Sequence, residues 1–129
     1  MNAPDAAILA AVEIWIDDLS RQDYDAAFAR TEHDSYYRWS PPLIRRVIEG
    51  YGLQEPHPNG EVYRVSPRAD APGLPYTRTV ERMDLPPGHL AEVRYGLPLN
   101  GEWSDLTATF GVQLRPEHSV LVLWEIHVF

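Results

Sequence analysis

The feature that most constrains the fold is a turn signal, Asn100-Gly101, with alternating residues on both sides. Both central positions of a two-residue hairpin loop need positive φ, which Asn and Gly tolerate. With this loop, apolar side chains of the two strands face each other and polar ones share the other face, which specifies the register. The predicted pairs are Tyr95 with Leu106, Val93 with Ala108 and Ala91 with Phe110 on the apolar face, and Arg94 with Thr107, Glu92 with Thr109 and Gly96 with Asp105 on the polar face.

The first part of the chain has the spacing of amphipathic helices, with apolar residues recurring every three or four positions. The predicted boundaries are a cap at Asn2 with Pro4 in the first turn, a second cap at Asp23, and a third at Ser40 with an end at Gly50. The predicted buried sides carry Ile8, Val12, Trp15, Ile16 and Leu19, then Tyr24, Ala27 and Phe28, then Leu43, Ile44, Val47 and Ile48.

Helices followed by antiparallel strands predict an α+β fold, in which N-terminal helices pack on a curved, mainly antiparallel β-sheet. We expect one domain over residues 1–129, mainly helical over 1–52 and mainly β-sheet over 53–129, with a second hairpin turn at Asn59-Gly60. This order and size resemble the ketosteroid-isomerase-like, nuclear-transport-factor-like cone, which is a cystatin-like fold. The segments LPLNGEWSDLTATF and LWEIHVF also resemble a group of small bacterial proteins without assigned activity.

Composition excludes several chemistries. All eleven basic residues are Arg, and Lys and Cys are both absent, so Schiff-base lysines, cysteine nucleophiles, thiolate metal sites and disulfides are excluded. The net charge of −8 argues against binding to nucleic acid or an anionic membrane. Residues 1–34 hold eight Asp or Glu and two Arg, which we interpret as a solvated helix face; the alternative is a docking face for a basic protein. The sequence shows neither a signal peptide nor an apolar membrane span, and the expected location is cytoplasmic.

Metal and cofactor motifs are not found. The five histidines have no HxH or HExxH spacing, and there is no GxSxG, GxGxxG or GxxxxGK[ST] pattern. The sequence therefore predicts no metal site and no cofactor.

The pair Glu125 and His127 in the last strand is the main candidate for acid–base chemistry, since alternate residues of a strand share a face. Its orientation depends on the hairpin turn in RPEHS. A loop of Pro116-Glu117 alone places both side chains on the apolar face, as a buried pair with perturbed ionisation. A loop that includes His118 points them outward and buries Trp124 against Phe110, with Ile126 and Val128 beside it. We expect the second register, because it buries three large apolar side chains instead of two ionisable groups.

In the outward register, Leu121, Leu123 and Phe129 share the face of Glu125 and His127, which predicts a homodimer through this sheet face. The stretch HDSYYRWS groups Tyr36, Tyr37, Arg38 and Trp39. These side chains either close one end of the core, with Arg38 stacked over the rings, or form the rim of a binding pocket.

The family resemblance implies a pocket between the helices and the sheet, where some members perform acid–base chemistry and others only bind ligands or partners. From the residues, we expect a small binding domain without catalytic activity, whose partner is a protein or a small apolar ligand. The alternative is a cofactor-independent lyase or isomerase that uses a pocket acid–base pair, His127 and Glu125, with Tyr95 nearby.

Overall fold

The computed structural model describes residues 4–129, which fold into three helices and one five-stranded sheet. The helices are α1 (Asp5–Ser20), α2 (Tyr24–Ala29) and α3 (Pro41–Glu49), and a short 3-10 turn spans Arg68–Asp70. The strands are β1 (Glu32–His33), β2 (Arg78–Glu81), β3 (His89–Leu99), β4 (Glu102–Leu114) and β5 (Ser119–Val128). Their order in the sheet is β1-β5-β4-β3-β2, with β1 parallel to β5 and all other pairs antiparallel. The predicted α+β class, with helices on a mainly antiparallel sheet, is confirmed.

Helices α2 and α3 begin where the capping residues predict, whereas α1 begins at Asp5, so Pro4 precedes the helix and does not lie in its first turn as predicted. The Asp23 carboxylate accepts a hydrogen bond from the Ala26 N–H at the start of α2, and the Ser40 hydroxyl accepts one from Leu43 at the start of α3. Helix α3 ends at Gly50 as expected, and α1 begins directly after Pro4. The predicted cap Asn2 lies outside the described residues.

The core lies between the helices and one face of the sheet, which we call the inner face. All five predicted apolar residues of α1 are buried there, as are the four of α3. Trp15 of α1 meets Phe110 of β4 edge-on, with ring centroids 5.0 Å apart, and Val93 and Tyr95 of β3 line the same layer. The helices of the described chain thus cover the inner face, and we call the opposite face the outer face.

The Asn100-Gly101 hairpin forms, with positive φ at both turn residues, but its predicted register holds only near the turn. Leu99 pairs with Glu102 and Pro98 with Trp103, and then β4 carries two extra residues. The pairs beyond this bulge are Tyr95 with Ala108, Val93 with Phe110 and Ala91 with Val112, so the predicted partners are wrong by two positions.

The bulge has a local cause, because Pro98 has no N–H to donate to the ladder. The Ser104 hydroxyl donates to the Leu97 carbonyl at 2.7 Å and accepts from the Leu106 N–H at 3.3 Å. It therefore replaces ladder partners inside the bulge. A shift of two residues preserves the side-chain alternation, so the apolar and polar faces remain those predicted.

The last hairpin contains both of the registers considered for RPEHS. From Ser119 to Leu123, β5 follows the shorter-loop register, in which Leu123 pairs with Phe110. A β-bulge at Trp124 then shifts the rest of the strand by one residue, and Ile126 pairs with Ala108. The Trp124 ring lies against Gly111.

Two predictions about this strand are therefore wrong: Trp124 does not face Phe110, and Leu121 and Leu123 do not share the outer face. The physical reason is that one register cannot bury both apolar runs. Because of the bulge, Leu121 and Leu123, which precede it in the strand, face inward, and so do Ile126 and Val128, which follow it.

The predicted hairpin at Asn59-Gly60 is also wrong, because the turn forms without flanking strands. The Asn59 side-chain oxygen accepts from the Glu61 N–H at 2.8 Å, and Gly60 has a φ of 80°. Within residues 53–77, Val65 makes a single isolated bridge to Leu99. Five prolines between 56 and 75 remove the N–H donors that a regular ladder needs, so the regular sheet begins at β2.

Candidate functional site

The structure separates the three predicted catalytic side chains. Glu125 and His127 lie on the outer face, opposite Thr109 and Thr107, which is the orientation expected for them. Tyr95 is buried on the inner face, paired with Ala108. A trio of Glu125, His127 and Tyr95 is therefore not assembled in this fold.

On the outer face, the side chains of Glu125 and His127 do not bind each other, and neither side chain forms a hydrogen bond or ion pair within residues 4–129. The His127 ring instead meets Phe129 edge-on at 5.4 Å, and the Arg94 guanidinium lies 4.7 Å from the centre of the Phe129 ring. Phe129 remains 57% exposed. This corner of the sheet presents an aromatic ring between two basic side chains.

The four residues Tyr36, Tyr37, Arg38 and Trp39 divide between core and surface. Trp39 is buried and its indole N–H donates to the Trp124 carbonyl at 3.1 Å, which ties the segment to the bulge of β5. Tyr37 lies 5.5 Å from Trp39 and 4.9 Å from Tyr36, centroid to centroid. Tyr36 is 83% exposed and Arg38 is also exposed, with a φ of +53°. The interpretation that these side chains together close the core is correct for Trp39 alone.

Tyr37 connects this segment to the outer face. Partial burial raises the pKa of Tyr37, and the negative charge of nearby Glu125 raises it further. Four aromatic residues that are exposed or half-buried thus lie on or beside the outer face, namely Tyr36, Tyr37, Trp124 and Phe129. We call these four residues the aromatic strip.

A second site lies on the helix side, where Tyr95 meets Glu13 of α1. The Tyr95 hydroxyl donates to Glu13 Oε2 at 2.7 Å, and burial followed by this hydrogen bond raises the pKa of Tyr95. The same carboxylate oxygen lies 3.4 Å from Arg78 Nε and 3.5 Å from Arg68 Nη1. The Glu13 carboxylate therefore contacts one phenol and two guanidinium groups.

Arg68 fastens the proline-rich loop to α1 at this site. Its Nε and Nη2 atoms donate to the two Asp17 oxygens at 3.0 and 3.2 Å, a paired geometry that raises the pKa of Arg68. The Trp103 indole N–H donates to the Gly73 carbonyl at 3.2 Å and holds the other end of the loop. Between α1, the loop and β3 remains an open cavity of about 540 Å³, which we call the Tyr95 pocket.

The carboxylates of α1 are consequently not a freely solvated face, contrary to the interpretation from sequence. Glu13 and Asp17 bind arginines of the loop and of β2, and Asp5 pairs with Arg82 at 2.6 Å. Asp18 is almost fully buried and accepts hydrogen bonds from Arg21 and Arg30, so it joins α1 to the end of α2. The acidic N-terminal part of the chain is neutralised largely by arginines of the chain itself.

A larger open groove, of about 650 Å³, runs between α1 and the β4–β5 hairpin. Its floor is apolar, with Ile8, Val112 and Leu121, and its rim includes Arg30 and His118. Arg30 is already engaged by Asp18, so this groove offers mainly apolar contact.

Sequence reasoning missed Glu13, Arg68 and Arg78. Glu13 and Asp17 are four residues apart and lie one turn apart beside the apolar stripe of α1, which was the available signal. Their basic partners come from a loop and a strand more than fifty positions later, and nothing in the local pattern indicates that pairing.

No group of three or more Asp, Glu or His side chains within residues 4–129 is arranged to hold a metal ion. None of the described helices combines the length and apolar character that a membrane crossing requires. Comparison with known proteins gives no match, whether to protein-family models, to curated proteins or to solved structures. The resemblance to the ketosteroid-isomerase-like cone stays a prediction.

Proposed function

We propose that the chain is a binding domain without catalytic activity, which acts through the outer face of its sheet and pairs there with a second copy of itself. The observation that carries this proposal is the aromatic strip of Tyr36, Tyr37, Trp124 and Phe129, which the helices leave uncovered because they pack on the inner face. Aromatic side chains bury large areas at low entropic cost and are enriched at protein interfaces.

The charges around the aromatic strip suit a two-fold partner. Glu92 and Glu125 carry negative charge on this face, and Arg94 carries positive charge. In a two-fold interface each patch meets its own copy, so a face with both signs is able to pair acid with base across the axis. A uniformly acidic face would instead repel its copy.

Oligomeric state tests the proposal directly. We expect sedimentation equilibrium to give the dimer mass at protein concentrations of tens of micromolar, and the double variant Tyr37→Asp/Phe129→Asp to give the monomer mass. The matched control is Leu74→Asp/Tyr76→Asp, which places the same two charges on exposed residues of the proline-rich loop. A monomeric wild-type chain, or a double variant that still dimerises, would contradict the second copy as the partner.

The catalytic alternative, a cofactor-independent lyase or isomerase, has one observation in its favour. Tyr95 and Glu13 form a hydrogen-bonded phenol–carboxylate pair beside a cavity, which is the arrangement of a proton donor with a base. Glu125 and His127 would have no part in it. Turnover of an enolisable ketone that is lost in both Tyr95→Phe and Glu13→Gln would support this alternative over the proposal of binding alone.

A further inference from the structure

We infer that the Tyr95 pocket binds a small organic carboxylate with a flat, apolar body, such as an aromatic acid. This inference does not depend on the dimer, because the Tyr95 pocket lies on the helix side of the sheet. It rests on which charged groups of the Tyr95 pocket are already satisfied and on the character of its walls.

Both carboxylates of the Tyr95 pocket are already paired with arginine. Glu13 receives the Tyr95 hydroxyl and lies within 3.5 Å of both Arg68 and Arg78. Both oxygens of Asp17 accept from Arg68. A cationic ligand would have to compete with Arg68 and Arg78 for these carboxylates, so the Tyr95 pocket is poorly suited to bind one.

The unused hydrogen-bonding capacity belongs to Arg78. Its Nε lies 3.4 Å from Glu13, at the long end of hydrogen-bond range, and it also interacts with the Tyr95 hydroxyl. A guanidinium group has five N–H donors, so several of them remain for a ligand or for water. The Arg78 side chain is 45% exposed and borders the cavity, which leaves it accessible to an incoming carboxylate.

The remaining walls are mainly apolar and flat. They include Pro67, Leu74, Pro75 and Trp103. The indole N–H of Trp103 is occupied by Gly73, so the ring offers a ligand only its apolar surface. The cavity volume of about 540 Å³ falls within the ordinary range for small-molecule sites. One available guanidinium beside an aromatic wall matches an aromatic carboxylate, since the acid group pairs with Arg78 and the ring lies on Trp103.

The test is isothermal titration calorimetry with 2-naphthoate, and 2-naphthamide as the neutral probe of the same shape. We expect saturable binding of the acid, weakened at high salt, and at least about tenfold weaker binding of the amide. Arg78→Gln should weaken acid binding by about tenfold or more. Arg78→Lys should weaken it by an intermediate factor, because the charge stays but the paired N–H donors of the guanidinium are lost. The matched control is Arg45→Gln, which makes the same chemical change at an exposed arginine of α3 outside the Tyr95 pocket and should leave acid binding unchanged.

Four results would overturn the inference: no saturable binding of 2-naphthoate at millimolar concentration, equal affinity for the amide, unchanged affinity in Arg78→Gln, or an equal loss in Arg45→Gln. Circular dichroism establishes whether Arg78→Gln folds. If it does not, Arg78→Lys decides the matter, and wild-type affinity in that variant would count against paired recognition of the carboxylate. The dimer mass is measured separately, so failure of one proposal does not affect the other.

Discussion

Replacing Gly111 with Ala tests the β-bulge that places Glu125 and His127 on the outer face. A Cβ at position 111 would lie 2.4 Å from Cζ2 of the Trp124 ring, 2.7 Å from Cε2 and 2.9 Å from Nε1. Ordinary carbon contacts are about 3.5–4.0 Å, so the indole would have to move by roughly 1 Å or more. Its movement is restricted, since the Trp124 ring meets His89 at 5.4 Å and its carbonyl accepts from Trp39.

The expected cost follows from two opposing effects. Forcing an extra methyl group into a packed contact costs about 1–3 kcal/mol. Gly111 does not have a positive φ, so Ala is free of backbone strain there and gains about 0.4–1 kcal/mol from a less flexible unfolded chain. We therefore expect Gly111→Ala to lower the free energy of unfolding by about 1–2 kcal/mol, or Tm by roughly 4–8 °C for a domain of this size.

The assay is urea denaturation of a double-mutant cycle with Trp124→Leu, which removes the ring that the new methyl group would strike. In the Trp124→Leu background, Gly111→Ala should cost nothing or stabilise slightly, so the coupling energy should be about 1–3 kcal/mol. If Trp124 instead faced Phe110, as the unbulged register predicts, the methyl group would meet no indole. Equal effects of Gly111→Ala in both backgrounds, within about 0.5 kcal/mol, would refute the bulge and the contact of the Trp124 ring with Gly111.

Three further predictions concern buried and titratable groups. Asp18→Ala should lower the free energy of unfolding, measured by urea denaturation, by about 2–4 kcal/mol, because it removes the charge-assisted hydrogen bonds of a nearly fully buried carboxylate. The control Asp5→Ala breaks an exposed ion pair and should cost less than about 1 kcal/mol. Similar costs for the two variants would contradict this prediction. Burial and a hydrogen bond raise the pKa of Tyr51 from 10.0 to about 12, so the stability that Tyr51 contributes is complete below pH 10 and is lost as the pH rises towards 12. The urea midpoint should therefore fall less steeply between pH 10 and 12 in Tyr51→Phe than in the wild type. An equal fall in both proteins would count against this prediction. Burial lowers the pKa of His33, which stacks on Phe28 at 4.0 Å, so the stability that His33 contributes is complete above about pH 6.5 and is lost on acidification. Between neutral pH and about pH 5, His33→Gln should therefore lose less free energy of unfolding than the wild type. An equal loss in both proteins would contradict this prediction.

The helices were predictable because their signals are local. Asp23 and Ser40 cap the helices that follow them, and Gly50 ends α3, each through hydrogen bonds to residues a few positions away. The Asn59-Gly60 dipeptide alone did not indicate whether its turn would join two paired strands. The same dipeptide forms a hairpin at Asn100-Gly101, because apolar and polar residues alternate on both sides of it. Near Asn59, prolines prevent the hydrogen-bonded pairing of strands.

The Tyr95 pocket was only partly predictable. Tyr95 was identified as a candidate, but its partner Glu13 lies 82 positions away in sequence, and Arg68 lies in an irregular loop. Helix and strand periodicities place a side chain on a face, and they do not indicate which charged group of another element reaches it. Ion pairs such as Arg68 with Asp17 depend on the path of the proline-rich loop, which tertiary packing determines.

The bulge in β5, in contrast, is visible in the sequence once both apolar runs are compared. Leu121 and Leu123 occupy odd positions and Ile126 and Val128 even ones, so no unbulged strand buries all four. Treating the strand as a single register forces a choice between these runs, and that choice exposed Leu123, which is in fact fully buried. Inserting one residue at Trp124 lets both runs face the core at the cost of one irregular ladder position. The change of apolar parity therefore predicts a bulge at position 124 or 125, and after the shorter RPEHS loop that bulge turns Glu125 and His127 outward.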